Sequence, residues 1–463
     1  MKTFQDYEKV MNNEEQKKDF ILEAIQEYKS STMYQEAIIG EDYYKERNTE
    51  IMNMKKWIRN HLGQKMEDVL SPNNKMASSY FNEDVVFYTN YILGNGVIID
   101  DETKDKFDKK FDYKIQNSFS IALRQGVAYG FKNVGKIDVL KATEFVPLLD
   151  EYNGSLRAGI RFWQLDSNKP LNVELFQEDG FSKYSQLKGK ELTLTQEKRA
   201  YKTTIKKDSL VVEIDNQENY STLPIKMLFC NEYKQNDLIG KKELIDLYDR
   251  VSSDFANDFD SFSQLYWVLK NCGGMTNADL IEFKNRVAML NVVAPNGQDE
   301  GVSADLKQTE IPHTARQVFL EILEKRIYKA FSLIDFSNVT NATATEIKSN
   351  YIPIDMKADN LEYFIIDFIE QLFQLDGVEE PFTFKRNKLV NENETTQMIL
   401  SASNYLDEET IVELLPFIPT DKLEEIKKRI NKEKDERIKE MEAELEEAKN
   451  QDVENIEENE EEQ

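Results

Sequence analysis

Cysteine and histidine are nearly missing from this chain, with two of each in 463 residues. Cys230 and Cys272 are too few for a disulfide framework and read as packed or unpaired thiols of a protein made in a reducing compartment. His61 and His313 lie far apart, and neither sits in a Ser or Cys context like a nucleophile elbow or a Cys-His pair, so each reads as structural. Long apolar runs are lacking too. No stretch approaches membrane-spanning length, and the start, Met1-Lys-Thr-Phe-Gln-Asp-Tyr-Glu, has neither the basic opening nor the apolar core of a secretory signal. The expectation is a soluble chain, cytoplasmic when made, with no membrane partner. Positive charge is the last deficit: 59 Lys and Arg face 86 Asp and Glu, for a formal net charge of -27. A protein that grips DNA needs clustered Lys and Arg to neutralise phosphates, so a conventional nucleic-acid binder is excluded.

What is present is enough hydrophobic content, 40%, for real cores in a chain long enough for several domain-sized units. Up to about Asn60 the sequence reads as polar helices, with Phe20, Ile21, Ala24, Ile25 and Tyr28 on one apolar face. Asn82–Leu93 is apolar and aromatic, Gly94-Asn-Gly96 breaks it, and Phe119–Tyr129 resumes a helical period. Between Asn133 and Leu228, short alternating runs such as Leu210-Val-Val-Glu-Ile214 are separated by Gly, Asn and Asp turns, predicting an antiparallel sheet. Next comes the strongest periodic signal. Leu244, Tyr248, Val251, Phe255, Phe259, Phe262, Tyr266 and Leu269 recur at steps of three and four, predicting one helix of roughly 40 Å. Asp246, Asp249, Asp254, Asp258 and Asp260 interrupt it, so one face should pack on protein while another carries negative charge.

Asn271–Pro312 reads as a small turn-rich insert that cannot bury much alone. A second helix is expected over Ala315–Asp335 with Phe319, Ile322, Leu323, Arg326 and Ala330 on one side. Ser337–Thr345 is a loop without charge or bulk, and Glu346–Leu375 returns to helix. Phe382–Glu425 reads as short helices broken at Pro416 and Pro419. Lys422–Lys449 has weak coiled-coil spacing, and Asn450–Gln463 has almost nothing to bury.

Catalytic chemistry finds little footing. Gly130-Phe-Lys-Asn-Val-Gly135-Lys136 satisfies most of a phosphate-loop pattern, but Ile137 stands where a Mg²⁺-binding hydroxyl is needed, and the preceding residues read as helix where a strand is required. Asp254, Asp258 and Asp260 could offer hard-metal ligands from one helix face, yet carboxylate clusters are expected by chance in so acidic a chain. No cofactor, no metal and no catalytic residue is assigned. The rival readings are a carboxylate-metal nuclease or phosphotransferase using those aspartates, and an intracellular scaffold oligomerising through its C-terminal helix.

The wording of several segments is informative beyond their period. Leu-Pro-Ile with Phe-x-Asn (223–231), Leu244-Ile245-Asp246-x-Tyr248-Asp249 and Ser253-Asp254-x-Ala256-Asn257-Asp258 resemble portal proteins of tailed bacteriophages. So do Gly40-Glu-Asp-Tyr-Tyr44 with Ile51, Asn73-Asn-Lys through Tyr80-Phe81 to Gly96, and Asn387–Glu394 with Leu406-Asp-Glu-Glu-Thr410. They occur in the family's order and extend from about Ala37 to about Glu433.

The resemblance implies an α+β subunit divided into a wing (1–243), a first stem helix (244–270), a clip (271–314), a second stem helix (315–336), a tunnel loop (337–345), a long wing helix (346–378), a crown (379–432) and an acidic helical or disordered tail (433–463). It implies a closed ring of about twelve copies. It also implies a non-enzymatic DNA channel at one capsid vertex of the virion, assembled in the host cytoplasm. Partners would be the terminase large subunit, a head-completion adaptor, major capsid and scaffolding proteins, and double-stranded DNA passing without sequence-specific binding. An acidic wall suits such a conduit because it keeps the polyanion from sticking. On this reading Asn338, Thr340, Asn341 and Thr343 line the channel as its tunnel loop. Asp254, Asp258, Lys325 and Lys329 are candidate channel charge rings. Asn296, Gln298, Asp299, Glu300 and Asp305 in the clip meet a partner.

Overall fold

The computed structural model describes residues 1–439 apart from 60–62, 70, 209–210, 263–265, 271–275, 277, 279–302, 308–312, 335–343, 388–391, 404, 416–417, 419–422, 424, 435–436 and 438. The chain divides into two compact units, Met1–Asn387 and Lys388–Gln463.

The first unit opens with helices α1 (Phe4–Val10), α2 (Glu14–Lys29), α3 (Thr32–Tyr44) and α4 (Thr49–Asn53). Thr3 and Asp6 close a capping box on α1, and Asn13 Oδ1 accepts from the Glu15 and Gln16 amides to start α2. The α2 face read from sequence is the buried one, with Phe20, Ile21, Ala24, Ile25 and Tyr28 in the core. A hairpin of β1 (Trp57–Arg59) and β2 (Lys65–Glu67) follows. Then come α5 (Tyr80–Leu93), β3 (Val97–Ile98), α6 (Asp101–Phe107) and α7 (Phe111–Gln125).

The expected antiparallel region is present as β4 (Val127–Asn133), β5 (Lys136–Lys141), β6 (Phe145–Leu149), β7 (Leu156–Trp163), β8 (Leu171–Gln177), β9 (Gly180–Gln186), β10 (Thr193–Arg199), β11 (Lys202–Asp208), β12 (Val211–Glu218) and β13 (Ile225–Phe229). β10-β9-β8-β7-β6 form a five-stranded sheet, β13-β4-β5 a three-stranded one, and β11-β12 a ribbon. One core joins α1 and α2 to the larger sheet through Tyr7, Phe20, Ile25, Ile160 and Leu175. The other gathers α5, α7, β4 and β13 with the long helix described next.

Two sequence expectations fail in this half. Phe119–Tyr129 is not one helix: α7 stops at Gln125 because Gly126 adopts φ +88°, and Val127 begins β4. The phosphate-loop look-alike therefore does follow a strand, but it leads into another. Gly135 turns β4 into β5, with Asn133 opposite Lys136, so no helix N-terminus is offered to a phosphate.

Beyond β13 the unit continues with α8 (Lys242–Phe262), β14 (Tyr266–Lys270), β15 (Ser303–Lys307), α9 (His313–Phe331), α10 (Ala344–Gln374) and β16 (Thr383–Phe384). The single helix expected through Leu269 is a helix followed by a strand. Tyr-Trp-Val-Leu-Lys is rich in strand formers, and it pairs antiparallel with Ser303–Lys307, Tyr266 opposite Lys307. Helix α9 also differs from expectation. Its buried line is Leu323, Ile327 and Phe331, whereas Phe319 and Ile322 are exposed. α10 runs 31 residues, about 46 Å, despite an exposed Pro353.

In the second unit, α11 (Glu392–Ser401) and α12 (Glu408–Leu414) precede further helix at 425–434. Asp407 caps α12 by accepting from the Thr410 amide. Lys427 and Lys434 pair with Glu413 and Glu408.

Candidate functional site

Helix α8 is built on a contradiction that sequence periodicity hides. Its apolar residues Leu244, Tyr248, Val251 and Phe255 are only half-buried, while a polar stripe four residues apart is sealed: Asp249, Ser253 and Asn257 are 1%, 0% and 2% exposed. The cause is a strap of chain, residues 73–79, whose amides have no strand partner among the described residues. The Asn74 amide donates to Asn257 Oδ1 at 2.6 Å, Met76 to Ser253 Oγ at 2.9 Å, and Ser78 to Asp249 Oδ1 at 3.0 Å. Alternate residues of an extended chain advance about 6.7 Å and every fourth helical residue about 6 Å, so the two repeats stay in step for three contacts.

Asn48 Nδ2 donates to the other Asp249 oxygen at 2.5 Å and to the Ser78 carbonyl at 3.2 Å. Burial raises the Asp249 carboxyl above its ordinary pKa, opposed by hydrogen bonds from Asn48 and Ser78. Ser253→Val strips the Met76 amide of its acceptor at a part-buried contact and should cost about 1 kcal/mol. Denaturation midpoints and limited proteolysis within 70–79 check this; a variant as stable and as protease-resistant as the parent would contradict it.

Against α8 lies α9. Asp258 pairs with Arg316, whose guanidinium also sits 5.8 Å from the Phe255 ring centroid. Of the four candidate ring charges, Asp258 is thus answered within the subunit. Asp254 is half-buried, and Lys325 and Lys329 are exposed; none of these three has an ion pair among the described residues. The same side of α9 exposes Val318, Phe319 and Ile322 at 49%, 42% and 44%.

A buried charge cluster holds the far end of α9. Lys357 of α10 donates to Asp84 Oδ1 at 2.9 Å, Asp237 Oδ2 at 2.7 Å and the Phe331 carbonyl at 3.0 Å. Its ammonium lies 4.0 Å from the Tyr88 ring centroid, and Tyr88 Oη donates to the Ser332 carbonyl at 2.8 Å. The last carbonyls of α9, which have no partner inside the helix, are therefore satisfied by α5 and α10. Asp237 takes a second cation, Lys241 at 2.7 Å. Among the described residues Asp84 has only the shared lysine, and it is fully enclosed. Burial pushes its carboxyl up to about 8, Lys357 opposing. Burial acts the same way on Asp237, but Lys357 and Lys241 outweigh it and hold that group below the carboxylate range. The enclosed site therefore favours the protonated form of Asp84 and the ionised form of Asp237.

Among the described residues, no three His, Cys, Asp or Glu converge as a metal-binding group. Asp258 faces Arg316 and Asp260 accepts from Asn74 Nδ2, so the carboxylate cluster of α8 is divided among separate partners. Asp305 lies on β15 opposite Val268. Asn296, Gln298, Asp299 and Glu300, and the loop residues Asn338, Thr340, Asn341 and Thr343, lie outside the described residues. Sequence reasoning missed the strap and the lysine cluster. The four-residue spacing of Asp249, Ser253 and Asn257 was the available signal for the strap.

Comparison with known proteins adds context to this geometry. Residues 25–451 match the family model described as "Phage portal protein, SPP1 Gp6-like". The chain is 31% identical over 238 residues to a portal protein of Clostridium phage phiCD119, covering 49% of this chain and 52% of that one. It is 28% identical over 233 residues to a portal protein of Bacillus phage SPP1, covering 46% and 45%. These matches span about half the length of the curated relatives. A solved structure titled "Neck of native GTA particle computed with C12 symmetry" is similar at a TM-score of 0.35 and 10% identity, covering 74% of this chain and 90% of that one.

Proposed function

This chain belongs to the SPP1 Gp6-like phage portal protein family, and we propose that it forms the DNA channel at one vertex of a phage capsid. The match over residues 25–451 carries the reading. In it, about twelve copies close into a ring, because a head-to-tail contact repeated by rotation must close or grow into a filament. Helices α8 and α9 are the stem around the channel, with the boundary amended: the first stem helix ends at Phe262, and the β14-β15 pair roots the clip. Residues 337–345 form the tunnel loop, α10 the long wing helix, and 379–432 the crown.

Two features of the subunit support this. The net charge of -27 disfavours adhesion of passing DNA to the subunit as a whole. The exposed apolar and cationic side of α9 is costly to leave in water on an isolated subunit and gains cover in a ring. The role is structural rather than enzymatic. Terminase docks for packaging and supplies ATP hydrolysis, an adaptor docks at the clip, and capsid and scaffolding proteins surround the wing. The assembled portal is a virion component.

The scaffold alternative places oligomerisation in the C-terminal helix. Native mass of the full chain and of a chain ending at Lys432 separates the two. The portal reading expects the same subunit number for both, and loss of assembly on truncation would overturn it in favour of the scaffold.

A further inference from the structure

The strap on α8 fixes a short hairpin whose own surroundings give it no support. All six residues of β1 and β2 are exposed, so neither face of this two-stranded ribbon has a core beneath it. Such ribbons are marginal in water unless something covers a face. Trp57 is 51% exposed, Ile58 41%, Met66 47% and Val69 81%. These are large apolar side chains gathered on one excursion.

The excursion is nevertheless held firmly at its base. The Asp68 amide donates to the Lys56 carbonyl at 2.9 Å, Lys56 Nζ to the Pro72 carbonyl at 2.6 Å, and Asn73 Nδ2 to the Met54 carbonyl at 3.4 Å. From there the 74–78 amides lock onto α8. Charge sets it apart as well. Residues 55–69 contain Lys55, Lys56, Arg59 and Lys65 against Glu67 and Asp68, four positive and two negative, in a chain whose net charge is -27. A cationic, apolar ribbon held in place on an acidic protein has the character of a preorganised binding element.

We propose that the β1-β2 pair is an intersubunit arm that docks on the acidic surface of the next copy of this chain. The occupant is argued from charge complementarity: with the arm's two net positive charges set aside, the rest of the chain carries -29. On each copy, a recess of about 380 Å³ between α4 and α8 is lined by Glu50, Glu243, Asp246 and Arg250 with Ile51, Asn53 and Met54; Lys242 bridges Glu50 and Asp246, so Glu243 is the lining carboxylate without an ion pair among the described residues. It offers the Glu243 carboxylate to Arg59, and apolar contact from Ile51 and Met54 to Trp57, over which Lys65 already lies at 4.4 Å. The arm and the recess are different surfaces, so the contact is head-to-tail and compatible with ring closure. The inference rests on the ring assembly proposed above and adds what joins neighbouring copies.

The test uses the full-length chain and a Trp57→Ala/Ile58→Ser/Arg59→Glu variant, each followed by native mass over a concentration series. A parallel chain carries a photo-cross-linking residue, Trp57→p-benzoyl-phenylalanine. All three substituted side chains are exposed, so the variant should keep the parental denaturation midpoint. It should need on the order of a hundredfold more protein to reach half-assembly. Cross-links from position 57 should join two chains and map near Glu50 and Glu243. If the parent forms rings and the variant forms them equally well, the arm is overturned while the ring reading stands. A parent that stays monomeric overturns both. Cross-links confined within one chain, or a variant that loses DNA retention with assembly unchanged, also overturn the docking proposed here.

Discussion

Lys357→Met should be among the most damaging single substitutions in the described core, lowering the unfolding free energy of the first unit by about 3–5 kcal/mol. The methionine fills the space but leaves Asp237, one-fifth exposed, with Lys241 as its remaining ion-pair partner among the described residues, and leaves the Phe331 carbonyl only the long 3.4 Å contact from Tyr88 Oη. Asp237→Asn in the same background should recover part of the loss, because it removes the charge that the missing ammonium left behind.

Asp84→Asn should behave differently, since burial raises the Asp84 carboxyl toward its protonated form. The sign follows from its raised pKa: the unfolded carboxyl releases its proton near its model value of 3.8, whereas the folded one holds it to about 8. Unfolding therefore releases a proton across that window, and wild-type stability falls as pH rises from about 4 to about 8. Relative to wild type, Asp84→Asn should gain up to about 1.4 kcal/mol per pH unit over that range and no more above it. Denaturant unfolding of both proteins at pH 5, 6, 7 and 8 reads the difference directly. A difference independent of pH would mean that Asp84 is ionised in the folded protein.

The second large effect is expected at Gly40. In a helix interior alanine is favoured over glycine by about 1 kcal/mol, so on propensity alone Gly40→Ala should stabilise α3. The packing reverses the sign. A Cβ at position 40 would lie 1.9 Å from the Arg124 carbonyl oxygen and 2.6 Å from Asn236 Nδ2. The first of these is backbone at the end of α7, which cannot swing aside. Glu41, next in sequence, binds the same end, taking Arg124 Nε at 2.9 Å and Gln125 Nε2 at 2.8 Å. Separating α3 from α7 would break those contacts too. A net loss of about 3 kcal/mol is expected, seen as a lower denaturation midpoint. A variant as stable as wild type would show that the two helices can part without cost.

These sites show what a sequence can and cannot disclose. The α2 face and the antiparallel region were legible because each is a local period of three to four or two residues. The break after Phe262 was not, because Tyr266 and Leu269 keep the helical step while their strand partner begins at Ser303, a pairing no local pattern reports. The end of α7 could have been found: Gly126 sits where the helix must turn, and a Cβ there would lie 2.6 Å from the Lys234 carbonyl. On α9, period alone placed Phe319 and Ile322 on one side with Leu323, Arg326 and Ala330, and of these five Leu323 is buried. The fold of one chain leaves them in solvent, and periodicity does not say whether an apolar face meets its own chain or another.

The familiar wording acquired physical reasons that spacing could not supply. Gly40 permits a helix contact, Asn74 begins the strap, and Ser253 and Asn257 receive it. The lysine cluster drew on Asp84, Asp237 and Lys357, too far apart in sequence for any motif to unite.

Electron microscopy of the purified full-length chain in negative stain, with native mass on the same preparation, tests the central claim most directly. Closed rings of uniform subunit number with a central hole wide enough to pass duplex DNA are expected. A homogeneous monomer or an elongated dimer that persists across salt concentrations would contradict it.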